Sequence, residues 1–207
     1  MIFRETTSAS APRPRRADGV EITRVATAFD YAQAALLLGE QRAFTEHLLG
    51  RELTEVQPAS RYEYAHVASY YRPPHGKLLL ARLQGEPAGI IGVRRIDDRR
   101  GESKRLYVRP SARGRGIARL LVQEVIAATR ELGLRTLYAE TSPTLLPQAY
   151  EMCMRLGFTE VEKLGFADID DIVAVQLELE TAPDRARPAR AISPTRRFRR
   201  PRELRLA

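Results

Sequence analysis

Residues 104–122 read Lys104-Arg-Leu-Tyr-Val-Arg-Pro-Ser-Ala-Arg-Gly-Arg-Gly-Ile-Ala-Arg-Leu-Leu-Val122, and this stretch decides the fold. Leu106, Tyr107 and Val108 are β-formers in an extended run, and Pro110 and Ser111 stop it. Gly114 and Gly116 are small enough for a ligand to approach the main chain closely. From Ile117 the pattern turns helical: Ile117, Leu121, Val125, Ala128 and Leu132 fall on one helix face. A glycine turn that opens a helix is an anion site, because its free N–H groups and the positive end of the helix dipole point the same way. Arg113 and Arg115 add mobile positive charge. The stretch is therefore expected to hold something phosphorylated, or otherwise anionic, at residues 113–118. It is neither a P-loop, lacking the Gly-Lys-Ser/Thr ending, nor a G-x-G-x-x-G dinucleotide turn.

Working outward, the chain supplies a first strand at Val20–Thr27 and two helices, Phe29–Leu38 and Gln41–Leu53, split at Gly39. A short helix is expected within Tyr62–Tyr71. Pro73-Pro74-His75-Gly76 is a break. Lys77–Leu83 and Ala88–Arg94 form a hairpin about Gly85 and Pro87. A polar turn at Asp97–Gly101 precedes the strand 102–109. The long helix runs over about 116–132 and stops at Gly133. A strand at Thr136–Thr141, a helix from Pro147 to Leu156, a short strand in Phe158–Lys163 and a last strand at Ile172–Leu179 complete the order. Such an order predicts an α/β fold, with a mixed, mostly antiparallel sheet and helices on both faces.

The net charge of the 207 residues is +8, but it is unevenly placed. Residues 181–207 carry nine arginines against Asp184 and Glu203, and residues 1–19 carry four against Glu5 and Asp18. The two ends thus hold +9, leaving −1 for residues 20–180. Residues 1–19 and the Arg-rich 181–207 read as disordered segments flanking one domain, 20–180. The basic tail is expected to touch nucleic acid only nonspecifically, through phosphates. A single cysteine, Cys153, excludes an internal disulfide and suits a reducing cytoplasm. No signal-peptide core and no apolar run of membrane-spanning length is present, so no membrane partner is expected. His47, His66 and His75 are scattered without metal spacing, and no metal is expected.

Two stretches sharpen the anion site. Arg113-Gly-Arg-Gly-Ile-Ala118 fits Gln/Arg-x-x-Gly-x-Gly/Ala, the pattern after the fourth strand of the GCN5-related N-acetyltransferase (GNAT) family. Ala149-Tyr-Glu-Met-Cys-Met-Arg-Leu-Gly-Phe158 resembles that family's second signature, a helix ending in Leu-Gly-Phe. Tyr71-Arg-Pro-Pro-His-Gly-Lys-Leu-Leu-Leu-Ala81 and Gly101-Glu-Ser-Lys-Arg-Leu-Tyr-Val108 resemble a bacterial small-molecule subgroup. The resemblance spans roughly residues 20–180 and implies the GNAT, or acyl-CoA N-acyltransferase, fold.

It also implies acetyl-CoA, or another acyl-CoA, as co-substrate. The pyrophosphate would lie on Arg113, Gly114, Arg115, Gly116, Ile117 and Ala118. The pantetheine arm would run along Leu106, Tyr107 and Val108. Transfer to the amine of a small molecule or amino acid by direct attack needs a base and is helped by an acid. Glu102 stands where related enzymes often use a glutamate, on the face that strand alternation also gives Lys104, Leu106 and Val108. Burial in a cleft would raise its pKa; Glu140 is a second candidate. Cys153 occupies the place of the family's usual tyrosine acid, and Tyr150, one turn earlier, carries a hydroxyl. Leu146 replaces a frequent asparagine. Tyr62, Tyr64, Tyr70 and Tyr71 are candidate liners of the acceptor pocket. A non-catalytic acyl-CoA-binding or sensor domain is the alternative reading, and the protein is expected as monomer or homodimer.

Overall fold

The computed structural model describes residues 16–17, 19–165 and 169–179. Its strands are β1 (Arg16–Ala17), β2 (Val20–Arg24), β3 (Gly76–Leu83), β4 (Glu86–Arg95), β5 (Arg100–Val108), β6 (Thr136–Thr141), β7 (Thr159–Val161) and β8 (Val173–Glu178). Its α-helices are α1 (Ala28–Leu49), α2 (Leu53–Val56), α3 (Ser60–Ala65), α4 (Val67–Tyr70), α5 (Ile117–Glu131) and α6 (Pro147–Arg155). The strands form one sheet in the order β1-β2-β3-β4-β5-β6-β8-β7. Every pairing is antiparallel except β5–β6, which is parallel.

Two cores lie on the two faces. Leu79, Ala81, Ile91 and Val93 pack with Ile117, Leu121 and Val125 of α5. Their strand neighbours Leu78, Leu80 and Ile90 point the other way, onto Ala34, Leu37 and Leu38 of α1. The apolar run Leu78–Ala81 is continuous because the middle of the sheet is covered on both sides. This is the mixed sheet with helices on both faces that the sequence predicts.

Three local expectations change. Gly39 does not split the first helix: α1 is continuous over 22 residues. Its start is fixed by a capping box, in which Thr27 Oγ1 accepts from Asp30 N–H and Asp30 Oδ2 accepts from Thr27 N–H. Its end is fixed by Gly50 in the left-handed region. One interior glycine costs only about 1 kcal/mol, which two strong ends and a buried face outweigh. The hairpin turn is the two residues Gln84-Gly85, and Pro87 sits inside β4 beside a register shift between Ala81 and Arg82, where a missing N–H is tolerated. Residues 16–17 pair with β2, so the N-terminal segment read as disordered includes one short strand. Residues 1–15 and 18 and the Arg-rich tail 181–207 lie outside the described residues.

Candidate functional site

β5 and β6 are paired only over Arg100–Ser103 and Thr136–Ala139. Beyond that the two parallel strands part, and Lys104–Val108 has no register partner on β6. A cavity of about 1080 Å³ opens at this fork. Its walls are Leu106, Tyr107 and Val108 of β5, the turn and first residues of α5, Phe44 of α1, Leu146 and one face of α6.

The turn supplies anion-binding groups. Gly114 and Gly116 have φ of +77° and +73°, a conformation that side chains with a Cβ rarely adopt. Gly116 caps α5 with no side-chain hydrogen bond to the first turn, so those amides are left for a ligand. A Cβ at either glycine would meet nothing within 4 Å; the space in front of the main chain is open. Eight of the nine residues expected to bind the co-substrate line the cavity: Leu106, Tyr107, Val108, Arg113, Gly114, Gly116, Ile117 and Ala118. Arg115 does not line it, but is exposed beside it and, like Arg119 on the rim, forms no ion pair among the described residues.

Arg113 lines the cavity with a tethered side chain. Its Nε donates to Val108 O (3.0 Å) and its guanidinium lies over the Phe44 ring, 5.1 Å from the centroid. It staples the turn to the end of β5 and to α1 rather than serving as mobile charge.

The two expected acid residues stand off the cavity. The α6 face that lines it carries Gln148, Ala149, Met152 and Arg155, spaced three and four apart, with Leu156 at the helix end. Tyr150 and Cys153 fall between these positions. The Tyr150 hydroxyl donates to Glu160 Oε1 at 2.6 Å, which raises its pKa. Cys153 packs against the α5-side core, and burial pushes its thiol up to about 11.

The second assembly lies on the α1–α4 face. Here the expected alternation of β5 fails. Ile90 pairs with Tyr107 while Gly92 pairs with Lys104, so β5 carries an extra residue. That residue is in the bulge with Arg105, whose φ is +61°. Glu102 and Lys104 therefore face α3, whereas Leu106 and Val108 pack on the α5 side; they do not share a face, as simple alternation predicts. A bulge inverts the parity of every residue after it.

Glu102 is buried at 3 % exposure. Arg94 Nε approaches its Oε2 at 2.6 Å and Lys104 Nζ its Oε1 at 3.0 Å. Lys104 also lies 3.6 Å from Glu63 Oε2. Glu63, 1 % exposed, receives both edges of the Arg105 guanidinium at 2.7 and 2.8 Å and the Tyr71 hydroxyl. Burial would raise the Glu63 carboxyl, but the hydrogen bonds and charge of Arg105, with Lys104 and Tyr71, bring it below its ordinary value. Tyr71 reaches Glu63 because it lies flat on Gly92, where a Cβ would meet its Cε1 at 2.3 Å.

The other tyrosines have separate places. Tyr64 lies under Arg105, its hydroxyl donating to Gln41 Oε1 (2.8 Å), and burial pushes it up to about 12. Tyr70 lies under Arg94. Tyr62 is exposed and stacks on His66. Tyr138, the register partner of Glu102 on β6, donates to Glu140 Oε1 at 2.7 Å.

Sequence reasoning misses Glu63, Arg94 and Arg105 here. Glu63 is brought in from 42 residues before Arg105, and nothing local marks it. Met152 and Gln148 were findable, as the residues one turn apart on the helix face nearer the glycine turn. Among the described residues no group of His, Cys, Asp and Glu is arranged to hold a metal, and no helix is long and apolar enough to cross a membrane.

Comparison with known proteins agrees with this geometry. Residues 42–158 match the acetyltransferase (GNAT) family. An uncharacterized N-acetyltransferase of Schizosaccharomyces pombe is 36% identical over 119 residues, covering 56% of this chain and 72% of that protein. An acetyltransferase from Streptococcus agalactiae has the same fold at 17% identity, with a TM-score of 0.62 over 79% of this chain and all of that one. A putative acetyltransferase from Salmonella typhimurium, solved with its cofactor acetyl-CoA, gives a TM-score of 0.54 at 18% identity, over 81% of this chain and 99% of that one.

Proposed function

The chain belongs to the GNAT acetyltransferase family, and on that premise we propose that it transfers an acetyl group from acetyl-CoA to the amine of a small molecule or amino acid by direct attack. Family membership makes it an acetyltransferase and sets aside the sensor alternative. We take residues 20–180 as the catalytic domain and the cytoplasm as its location.

One observation carries the reading: a single strand, β5, joins the two assemblies the reaction needs. Its far end leads into the open glycine turn, and its first half holds the buried Glu102. The residues fit the co-substrate. Uncapped amides at the start of α5, with Arg115 and Arg119 beside them, suit a pyrophosphate. The unpaired edge of β5 at Leu106–Val108 suits amide groups that dock as an added strand would. Acetyl-CoA supplies the activated acyl group when bound.

The chain supplies the rest. Glu102 accepts the proton of the attacking amine, directly or through one water; two of its lone pairs remain beyond those used by Arg94 and Lys104. With Tyr150 and Cys153 turned off the cavity, the leaving group departs as a thiolate. A thiol with a pKa of about 8.5 needs no dedicated acid to do so. Cys153 and Tyr150 then act in packing α6.

The test is Glu102→Gln, assayed against a panel of amines by release of free thiol. We expect kcat to fall about 10²–10⁴-fold with acetyl-CoA binding intact. Unchanged kcat would remove Glu102 from the role of base.

A further inference from the structure

The base reading accounts for Glu102 but not for the pair behind it. Arg105 alone satisfies both oxygens of Glu63, so Glu63 has no need of a second cation for burial. Lys104 is nevertheless buried, with 7% of its side chain exposed. It stands nearer to Glu102, at 3.0 Å, than to Glu63, at 3.6 Å.

We propose that Lys104 and Glu63 are positioning residues: Glu63, clamped by Arg105 and Tyr71, holds the Lys104 ammonium, which fixes the Glu102 carboxylate toward the acceptor amine.

The order of rigidity supports this. Lysine is a point charge on a flexible stem and orients a carboxylate only if it is itself held. Glu63 can hold it because Arg105 grips it by two parallel hydrogen bonds, the geometry with the least freedom. Tyr71 adds a third contact and is itself wedged against Gly92. The chain of contacts runs from β4 through α3 and back to β5, and it ends on Glu102. Arg94 holds the other Glu102 oxygen from β4, so the carboxylate plane is fixed at both ends. Around it, Tyr70 faces Glu102 from α4, and Tyr138, with Glu140 beside it, from β6.

The inference rests on Glu102 as base, and the test separates the two. In the full chain, Lys104→Met keeps the stem and removes the charge. We expect kcat to fall about tenfold with an unchanged KM for acetyl-CoA, a split that a merely structural loss would not produce. Lys104→Arg, which keeps the charge, restores most of kcat. The double variant Glu63→Gln/Arg105→Gln leaves no buried charge alone; it is expected to fold, by circular dichroism, and to lower kcat with KM for acetyl-CoA unchanged. Should Lys104→Met not fold, this double variant and Lys104→Arg carry the test. If the folded variants keep the wild-type kcat and move only the thermal midpoint, the positioning role is overturned. If Glu102→Gln is itself fully active, the base reading falls first; if Glu102→Gln is dead and these variants are not, only the positioning role falls.

Discussion

The two halves of β5 are built on opposite plans. Leu106–Val108 and the turn after it work through main chain: open amides, glycines with empty space before them, and exposed arginines at the rim. Glu102, Lys104 and Arg105, on the other side of the bulge, work through side chains that are buried and held in ion pairs. On the proposed reading the later half takes a large anion and should lose little when a single side chain changes. The earlier half is a closed set of charges in which removal of one strands another. Substitutions in the two halves should therefore fail differently, one in affinity and the other in stability and rate.

The largest effect is expected from Glu63→Gln. It leaves the Arg105 charge buried without its partner, a loss of about 3–5 kcal/mol to be read by denaturant unfolding. The pH dependence has a definite sign. A carboxyl held below its ordinary pKa contributes stability that is present above that ordinary value and disappears as pH falls through the lowered one. The wild type should thus lose thermal midpoint in acid more steeply than Glu63→Gln. Next is Gly92→Ala, whose Cβ displaces the Tyr71 ring; overpacking of this kind costs about 1–3 kcal/mol, and kcat should fall with it. A midpoint like wild type in either variant would break the contrast.

In the open half the order reverses. Gly116→Ala meets only the strain of a positive φ, about 1–2 kcal/mol, while its Cβ projects into the ligand's space; KM for acetyl-CoA should rise more than stability falls. Arg115→Ala should change stability by no more than about 0.5 kcal/mol and raise that KM a few-fold at low salt, with the difference fading at high salt. Smallest is Cys153→Ala. With its thiol off the cavity and pushed up to about 11, kcat should stay within about twofold, and the native thiol should react slowly with iodoacetamide at pH 8.

What could be read from the sequence follows the same division. Gly114, Gly116 and the face Ile117–Leu132 declare a turn and a helix locally, and the cavity stands where they lie. The face of Glu102 could be read only as far as the strand stays regular. Arg105 holds a positive φ because Glu63 secures its guanidinium from α3, and no property of residues 100–108 announces that. Gly39 misleads for a related reason: its cost is local, while Thr27, Asp30 and Gly50, which outweigh it, lie a turn or more away. On α6, family correspondence points to Cys153, but the rotation of the helix brings Met152 and Ala149 to the cavity instead.

The bulge at Arg105 sets a counting rule for the gene. Between Glu102 and Gly114 the number of residues fixes that Glu102 and Lys104 face α3 while Leu106 and Val108 face α5, so loss or gain of one codon there would put the residues on one side of the change on the wrong face. At Gln84-Gly85 an added codon lengthens a solvent turn and leaves both cores in register. Variation in length among descendants of this chain should therefore collect at that hairpin and be absent from the thirteen positions that run from Glu102 to Gly114.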